Sequence, residues 1–139
     1  MRGRQRRPSL APFPRRPLST GLSSAEGEII KIRVSQLNGC VFCLDLHSRQ
    51  ARKLGLPQQK LDLLPAWRES TLFSDREAAL LAVAETATTL PLSEDSKADL
   101  LAARNTLGQE TFISAEWVAI TINIFNRISI LSEHPVRAR

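Results

Sequence analysis

The stretch that decides the fold runs from residue 28 to residue 55 and reads EIIKIRVSQLNGCVFCLDLHSRQARKLG. Its first half carries aliphatic residues spaced as on one face of a helix, and this spacing favours a helix over a strand although β-branched residues are frequent. Those residues are Ile29, Ile30, Val34 and Leu37. Asn38-Gly39 is a turn signal, and Gly55 ends a second helix that starts near Cys40. The stretch therefore predicts two helices joined by a tight turn.

Outside this stretch the chain also reads as helices, with no convincing strand and no internal repeat. Ser74 and Glu77 form a capping box, in which each side chain binds a free backbone N–H at the start of a helix. Ser93 and Ser114 are predicted to cap the next two helices, and residues 65–68 break the short helix before them. In chain order, the predicted helices span about residues 25–37, 40–54, 57–64, 74–88, 93–108 and 115–132. The prediction is an all-α fold of about six helices.

The basic character of the chain belongs to its N-terminal segment. The first 20 residues contain six arginines and no acid, while the net charge of the whole chain is +5, so subtracting six leaves the remainder near −1. Blocks of like charge with Pro and Ser are usually disordered, so we assign residues 1–24 to an Arg/Pro-rich tail and residues 25–134 to one helical domain. Three interpretations of the tail stay open: an uninformative or misassigned start, a transit peptide and a nucleic-acid arm. The last is the weakest, because only Phe13 stands among the arginines as a stacking residue.

The composition excludes several classes of protein. Hydrophobic residues make up 42% and charged residues 24% of the 139 residues, as is typical of a soluble globular domain. No apolar run reaches the roughly 18 residues needed to cross a membrane, and none follows the N-terminal charges as a signal peptide requires. The two cysteines are too close in sequence to staple distant parts of a fold, which excludes a secreted disulfide framework. We expect a cytoplasmic protein whose partners include neither a membrane nor a nucleic acid.

Chemistry is predicted at Cys40, Cys43 and His47. At about 100° per residue these three residues share one face of a helix. Cys40 is near the helix N-terminus, where the helix dipole and free N–H groups favour a thiolate, and His47 is one turn from Cys43, close enough to exchange a proton. A thiolate is the nucleophile of peroxide and disulfide chemistry, and the second thiol then closes a disulfide that prevents overoxidation.

A glutamate on the first helix is predicted to face His47. If the two helices form a hairpin that turns at Asn38-Gly39, Glu28 and His47 are both roughly 13–15 Å from the bend. A carboxylate at that depth would orient the imidazole and make it a better base. The count does not decide between Glu26 and Glu28, either of which is also explained as an exposed first-turn acid.

Two other interpretations of the cysteines are weaker. A pair of buried structural thiols does not explain the histidine or the position at a helix start. A zinc site lacks a fourth ligand, because His134, the only other histidine, lies near the far end of the chain. We therefore expect no metal. Polar residues of the last helix are interpreted as packing or oligomer contacts, and the tryptophans as core or interface anchors. These residues are Asn123, Asn126, Arg127, Trp67 and Trp117.

Glu28, Cys40, Cys43 and His47 together form the pattern Glu-x11-Cys-x2-Cys-x3-His. With this pattern the chain resembles the carboxymuconolactone decarboxylase/alkylhydroperoxidase D superfamily over about residues 26–132. Further matching segments are 35–39 (SQLNG), 65–69 (PAWRE) and 123–127 (NIFNR).

The resemblance implies an alkylhydroperoxidase D-like helical fold and a peroxidase that reduces a hydroperoxide with electrons from a dithiol donor. It also implies a homo-oligomer, often trimeric or hexameric, and no metal or organic cofactor. In this hypothesis Cys43 is the attacking thiol because His47 is beside it, Cys40 closes the disulfide, and Glu28 orients or relays protons to His47.

The chain departs from the family pattern in two places. Phe42 stands where the characterised peroxidase has a histidine, so one possible member of a proton relay is missing, and the Arg/Pro-rich tail replaces the usual N-terminal helix. A thiol–disulfide adaptor that serves a partner peroxidase is therefore the alternative function. Decarboxylation of a lactone acid ranks lowest, because that branch of the superfamily does not use a CxxC.

Overall fold

The computed structural model describes residues 21–139, and every regular element in this range is a helix. In chain order the elements are α1 (Ser24–Asn38), α2 (Val41–Lys53), α3 (Gln58–Asp62), a 3₁₀ helix (Leu64–Glu69), α4 (Asp75–Thr88), α5 (Glu94–Leu107) and α6 (Gln109–Leu131). The predicted all-α fold of about six helices is therefore confirmed. Nearly all of the predicted tail over residues 1–24 lies outside the described residues, and the division at residue 24 stays a prediction. No helix in the described range is long and apolar enough to cross a membrane.

Two helices begin with the same reciprocal arrangement of a serine and a glutamate. At α4 the Ser74 hydroxyl accepts a hydrogen bond from the Glu77 N–H, and the Glu77 carboxylate accepts one from the Ser74 N–H, as predicted. Ser23 and Glu26 form the same arrangement at α1, which begins one position before the start that the hydrophobic spacing predicts. Each pair binds N–H groups that a first helical turn leaves free, and this fixes where both helices start.

The start of α6 differs from the prediction. α6 begins at Gln109 with Gly108 as its N-cap, so the predicted start at Ala115 is wrong. Ser114 lies inside the helix, where its hydroxyl donates to the carbonyl of Glu110 at 3.0 Å. Gly108 has a φ of +75°, a conformation open to glycine, and it ends α5 and starts α6 within a single residue. As a result α6 is more than one turn longer than predicted.

The predicted break after α3 is a change of helix type. Pro57 is the N-cap of α3, and the chain continues from α3 directly into the 3₁₀ helix. Pro65 lies in the first turn of that helix, where its missing N–H leaves no hydrogen bond unmade. Trp67 in the same helix is buried, in agreement with its predicted role as an anchor of the core.

α1 is the central helix of the fold and packs against α2, α4 and α6. On one side it contributes Ile29 and Ile32 to an apolar cluster with α3, the 3₁₀ helix and α4. On the other side it contributes Ile30 and Val34 to a second cluster with α4, α5 and α6. Burial on both sides accounts for aliphatic residues around most of this helix, and it makes α1 a fixed support for α2.

Gly39 joins α1 to α2 in a left-handed conformation, with φ +68° and ψ 33°. Glycine adopts this conformation without strain. The N–H groups of Gly39 and Cys40 donate to carbonyls of Gln36 and Ser35 at 3.3 and 3.0 Å, which closes the end of α1. α2 then begins at once and packs along α1, so the predicted helical hairpin is present.

Candidate dithiol active site

Both cysteines lie at the start of α2, next to the turn from α1. Cys40 is the N-cap residue and is 1% exposed, and Cys43 lies in the first turn and is 3% exposed. Both are free thiols, and their sulfurs are in hydrogen-bonding contact. The N-cap position puts Cys40 beside the free N–H groups of the first turn. The two residues therefore form a buried dithiol at a helix N-terminus.

The helical hairpin brings Glu28 and His47 together. His47 Nδ1 lies 2.7 Å from Glu28 Oε2, and the two side chains are only 12% and 6% exposed. Glu26, the other glutamate that the sequence left open, instead caps α1 and accepts a hydrogen bond from Arg76 Nε at 2.6 Å. The equal distance of Glu28 and His47 from the turn thus predicted a real contact.

Glu28 determines which nitrogen of His47 carries a proton. Burial acts to raise the pKa of Glu28, but hydrogen bonds from His47 and Lys31 outweigh it and hold the pKa below its usual value. Lys31 Nζ donates to Glu28 Oε1 at 3.0 Å. Because an ionised carboxylate is only an acceptor, Nδ1 carries the proton that is shared with Glu28. In neutral His47 the other nitrogen, Nε2, is then free to accept a proton.

Within residues 21–139, no hydrogen bond joins the Cys43 thiol to His47; the thiol contacts Cys40, Ser129 and Asn126. Burial and the hydrogen bond with Cys40 raise the pKa of Cys43, and the bonds with Asn126 and Ser129 offset this only in part. His47 is one helical turn from Cys43, so a proton transfer between them needs a rotamer change or a bridging water.

Two residues of α6 that the sequence argument did not assign to the site contact the dithiol. The Cys43 thiol donates to Ser129 Oγ at 3.9 Å, and the fully buried Asn126 hydrogen-bonds the same thiol. The Asn126 amide donates to Ser35 Oγ at 3.0 Å, and Asn38 Nδ2 donates to Asn126 Oδ1 at 3.0 Å. A buried amide needs hydrogen-bond partners. An asparagine on a helix rich in isoleucine was therefore the sequence signal that Asn126 meets polar groups in the interior.

The neighbouring polar residues of α6 serve in packing, as the sequence argument expected. Asn38 Nδ2 donates to Asn123 Oδ1 at 2.9 Å, and Arg127 Nη1 donates to the same oxygen at 2.8 Å. These bonds connect the end of α1 to α6. Asn126 belongs to the same set of interhelical bonds but also reaches the dithiol.

Two separate clefts reach the site, and no residue lines both. The first, here called the Cys40 cleft, has a volume of about 320 Å³ and lies between the start of α2 and the end of α6. Its lining includes Cys40, Phe42, Ser129, Glu133 and His134. The second, the His47 cleft, has a volume of about 280 Å³, and its lining includes Lys31, His47, Trp117 and Phe125. The two histidines of the chain therefore face different openings.

The position of His134 corrects the sequence argument, which treated this residue as remote from the cysteines. Its ring packs edge-on against Phe42, with 4.3 Å between ring centroids. In the described residues, no group of three or more His, Cys, Asp or Glu side chains is placed to hold a metal ion. The expectation that the protein needs no metal stays a prediction.

The sequence is similar to those of known proteins. Residues 16–86 match the Carboxymuconolactone decarboxylase family, and the matched range contains all four residues predicted for the site. The uncharacterized protein YdfG of Bacillus subtilis is 39% identical over 103 residues, which are 74% of this chain and 70% of that protein. The chain belongs to the carboxymuconolactone decarboxylase family. The uncharacterized protein YnjA of Escherichia coli is 36% identical over 67 residues, which are 48% of this chain and 37% of YnjA.

The fold of this family member is also found in a solved structure from Agrobacterium tumefaciens. That protein, of unknown function, is named as a candidate antioxidant defence protein AhpD. It aligns with a TM-score of 0.77 and 31% identity over 87% of this chain and 83% of its own. The alkylhydroperoxidase D-like fold is thereby confirmed. The family match ends at residue 86, so Asn126 and Ser129 lie outside the matched range.

Proposed function

We propose that this member of the carboxymuconolactone decarboxylase family is a thiol-dependent peroxidase that reduces hydroperoxides through Cys40 and Cys43. The observation that carries the proposal is the 2.7 Å contact between Glu28 and His47, one helical turn beyond the buried dithiol. A thiol must lose its proton before it attacks a peroxide, and a carboxylate-oriented histidine is a base suited to take that proton. The antioxidant role named for the Agrobacterium protein of the same fold supports the same class of reaction.

Each turnover consumes one hydroperoxide and two thiol hydrogens. The Cys43 sulfur attacks the terminal peroxide oxygen, the O–O bond breaks, and the alkoxide leaves as an alcohol with the proton that His47 took from Cys43. Cys43 is left as a sulfenic acid. The Cys40 sulfur then attacks the Cys43 sulfur, and hydroxide leaves as water with the Cys40 proton. One hydroperoxide and two thiols thus give one alcohol, one water and a disulfide.

Cys43 is the attacking sulfur in this proposal because His47 lies one turn away on the same helix. The raised pKa of Cys43 means that its thiol is mostly protonated at neutral pH, so the reaction depends on a base. Glu28 leaves Nε2 of His47 free to act as that base and stabilises the imidazolium that results. An external dithiol, a protein or a small thiol, returns the disulfide to the dithiol state without a metal or organic cofactor.

A homo-oligomer belongs to the same proposal. α6 exposes large apolar side chains at spacings of three or four residues, which is the pattern of a helix covered by a partner helix. These residues are Ile113, Trp117, Ile120, Ile124, Ile128 and Leu131. A second copy of this chain is the proposed partner, and the resemblance to the family favours a trimer or hexamer. Light scattering of the purified protein measures the number of copies.

Peroxide consumption in the presence of dithiothreitol tests the proposed reaction and the role of each sulfur. We expect Cys43→Ser to reduce consumption to the background rate. Cys40→Ser, reduced beforehand and freed of dithiothreitol, should consume about one equivalent of peroxide and then stop, because its sulfenic acid has no partner thiol. Labelling with dimedone should find that sulfenic acid on Cys43. If instead Cys43→Ser consumed a single equivalent of peroxide and Cys40→Ser consumed none, Cys40 would be the attacking sulfur and Cys43 the one that closes the disulfide.

A thiol–disulfide adaptor is the second candidate function, and the burial and raised pKa of Cys43 favour it, because they slow a direct reaction with peroxide. An adaptor would consume no peroxide with any dithiol. Its Cys40–Cys43 disulfide would still be reduced by a dithiol, and its dithiol would reduce a protein disulfide. Wild-type peroxide consumption that disappears in Cys43→Ser excludes this candidate.

A further inference from the structure

His134 sits at the mouth of the Cys40 cleft, on the segment that follows α6. Its backbone N–H donates to the Ser129 carbonyl at 2.9 Å, and the residue before it, Glu133, has a left-handed φ of 51° that turns the chain back toward α2. Its imidazole contacts the Phe42 ring at an interplanar angle of 74°. The imidazole is therefore held over the first turn of α2 by contacts on two sides.

Cys40 is the cysteine that lines this cleft, whereas Cys43 lines neither cleft and His47 lines the other one. A reagent that enters the Cys40 cleft reaches Cys40 before Cys43 and does not meet His47 on the way. The proton carrier that serves Cys43 is thus placed on a different side from the opening at Cys40. A thiol that reacts at Cys40 needs a proton carrier of its own.

Few other groups in or near this cleft can titrate or carry charge. Within the cleft the titratable residues are Cys40, Glu133 and His134. Further along α2, Asp45 forms ion pairs with Arg49 and with Arg139 of the C-terminal segment. Both arginines keep their protons at neutral pH, so neither can act as a proton carrier. Histidine is the residue type suited to carry a proton in both directions, and His134 is the histidine in the lining of this cleft.

We propose that the electron-donating dithiol enters through the Cys40 cleft, with His134 as its proton carrier. This inference rests on the proposed function, because it describes how the disulfide of that cycle is reduced. The donor would be a compact dithiol, since the cleft holds about 320 Å³. The peroxide and the donor would then approach the same dithiol through different openings, each beside its own histidine.

The exchange has two steps. His134 takes a proton from one donor thiol, and the resulting thiolate attacks the Cys40 sulfur. The Cys40–Cys43 bond breaks, and Cys43 leaves with the electron pair as a thiolate, which takes a proton that neutral His47 has relayed from solvent. The second donor thiol then gives its proton to solvent and attacks the first donor sulfur, which releases Cys40 as a thiolate. Cys40 takes its proton from His134, and the donor is left as a disulfide with His134 and His47 both neutral again.

Reduction of a chemically formed disulfide tests this inference without using a peroxide. The full chain is oxidised with diamide, mixed with dithiothreitol, quenched with acid at set times and alkylated, and the disulfide fraction is measured by mass spectrometry. His134→Gln removes the proton carrier, and Glu133→Gln is the matched control in the same cleft. Phe42→Leu removes the ring that holds the imidazole and leaves both cysteines in place.

We expect His134→Gln to slow reduction by dithiothreitol about tenfold at neutral pH, which is less than the roughly 100-fold or more typical of general acid–base catalysis, because solvent can also take the donor's proton. Phe42→Leu and Glu133→Gln should both show smaller losses than His134→Gln, because each variant keeps the imidazole. The wild-type rate divided by the His134→Gln rate should change between about pH 5 and 8, because the donor's own ionisation cancels in this ratio. The reaction of the reduced protein with peroxide should be unchanged in His134→Gln.

Two results would overturn the inference: a His134→Gln disulfide reduced at the wild-type rate, or a ratio that is constant across this pH range. Equal slowing of the peroxide step and the reduction step would also overturn it, since His134 would then act on the site as a whole. If instead the proposed peroxidase function is wrong, the wild-type dithiol will not react with peroxide. The rate at which its diamide-formed disulfide is reduced would still test the role of His134.

Discussion

One buried and one partly buried glutamate in this molecule are held by hydrogen bonds of similar length but have different partners. Glu28 binds His47 at 2.7 Å and Lys31 at 3.0 Å, next to the dithiol. Glu85 on α4 accepts hydrogen bonds from Trp67 Nε1 at 2.8 Å, Arg33 Nε at 2.9 Å and Arg68 Nη2 at 2.8 Å. Burial acts to raise the pKa of both carboxyl groups, and in both cases the donors outweigh it and lower the pKa. The two sites are therefore electrostatically alike.

The difference lies in what the partners can do with a proton. Arginine and the tryptophan indole keep their protons at neutral pH, so Glu85 is locked in one arrangement that joins α1, the 3₁₀ helix and α4. The imidazole of His47 can accept a proton at one ring nitrogen while the other donates to Glu28, so this pair is able to pass a proton on. A carboxylate shielded from most solvent thus stabilises the fold at one site and, in the proposed reaction, belongs to a proton path at the other.

The first prediction concerns the rate of the thiol reaction. Glu28→Gln should lower peroxide consumption about 100-fold, because the neutral amide does not stabilise the imidazolium, while the protein remains folded at neutral pH. His47→Gln should have a similar effect, and the double variant should be little worse than the slower single variant. Peroxide consumption and thermal unfolding measure the two effects.

Lys31→Met is the matched control, because it removes the other partner of Glu28. Lys31 is about one-third exposed, so its ion pair contributes little, and the rate should fall less than about fivefold. A loss in Lys31→Met as large as that in Glu28→Gln would mean that the charge balance of the carboxylate controls the rate, and not its contact with the histidine.

The second prediction concerns stability. Glu85→Gln should cost about 2 kcal/mol of unfolding free energy, because it leaves Arg33 and Arg68 without the carboxylate that compensates them. Asp99→Asn, which removes the more exposed partner of Arg68, should cost less than about 0.5 kcal/mol. Chemical denaturation gives both values. If Glu85→Gln also slowed peroxide consumption per folded molecule, the distinction between a structural role for Glu85 and a role in the reaction for Glu28 would be wrong.

The third and smallest effect is the dependence of stability on acid. A carboxyl group with a lowered folded pKa binds fewer protons folded than unfolded, so it stabilises the fold above its unfolded pKa, which is near 4.5. That contribution is lost as the pH falls through the folded pKa. The unfolding midpoint of the wild type should therefore decrease as the pH is lowered from about 4.5. In Glu85→Gln and in Glu28→Gln this decrease should be shallower. Equal slopes in all three proteins would contradict the lowered pKa values.

Local geometry explains which parts of the structure the sequence could predict. The hairpin, the capping box at Ser74 and the contact between Glu28 and His47 follow from helical spacing and from one glycine turn, so counting residues was sufficient. The start of α6 did not follow, because a serine inside a helix and a serine at its start carry the same signal. Ser114 bonds the carbonyl four residues before it, and only the backbone of Gly108 reveals the true start.

The residues of the site that the sequence did not predict all come from distant parts of the chain. Ser129 and Asn126 reach Cys43 only because α6 packs against α1 and α2. The position of His134 depends on a left-handed residue after α6, and no spacing rule predicts the direction in which the chain then turns. Helical periodicity indicates which face of α6 is buried, but it does not show which side chains that face will meet.

The hydrogen bond between Cys43 and Ser129 joins residues 86 positions apart. During synthesis both cysteines leave the ribosome well before α6 does, and domains acquire their packing only when all of their helices are available. Until α6 docks, the thiols of a nascent chain are open to water and to any passing disulfide. Because of this order of synthesis, both thiols of a newly made chain are exposed to oxidants before α6 is present. Only when α6 has folded over them are the two sulfurs shielded from unspecific reactions.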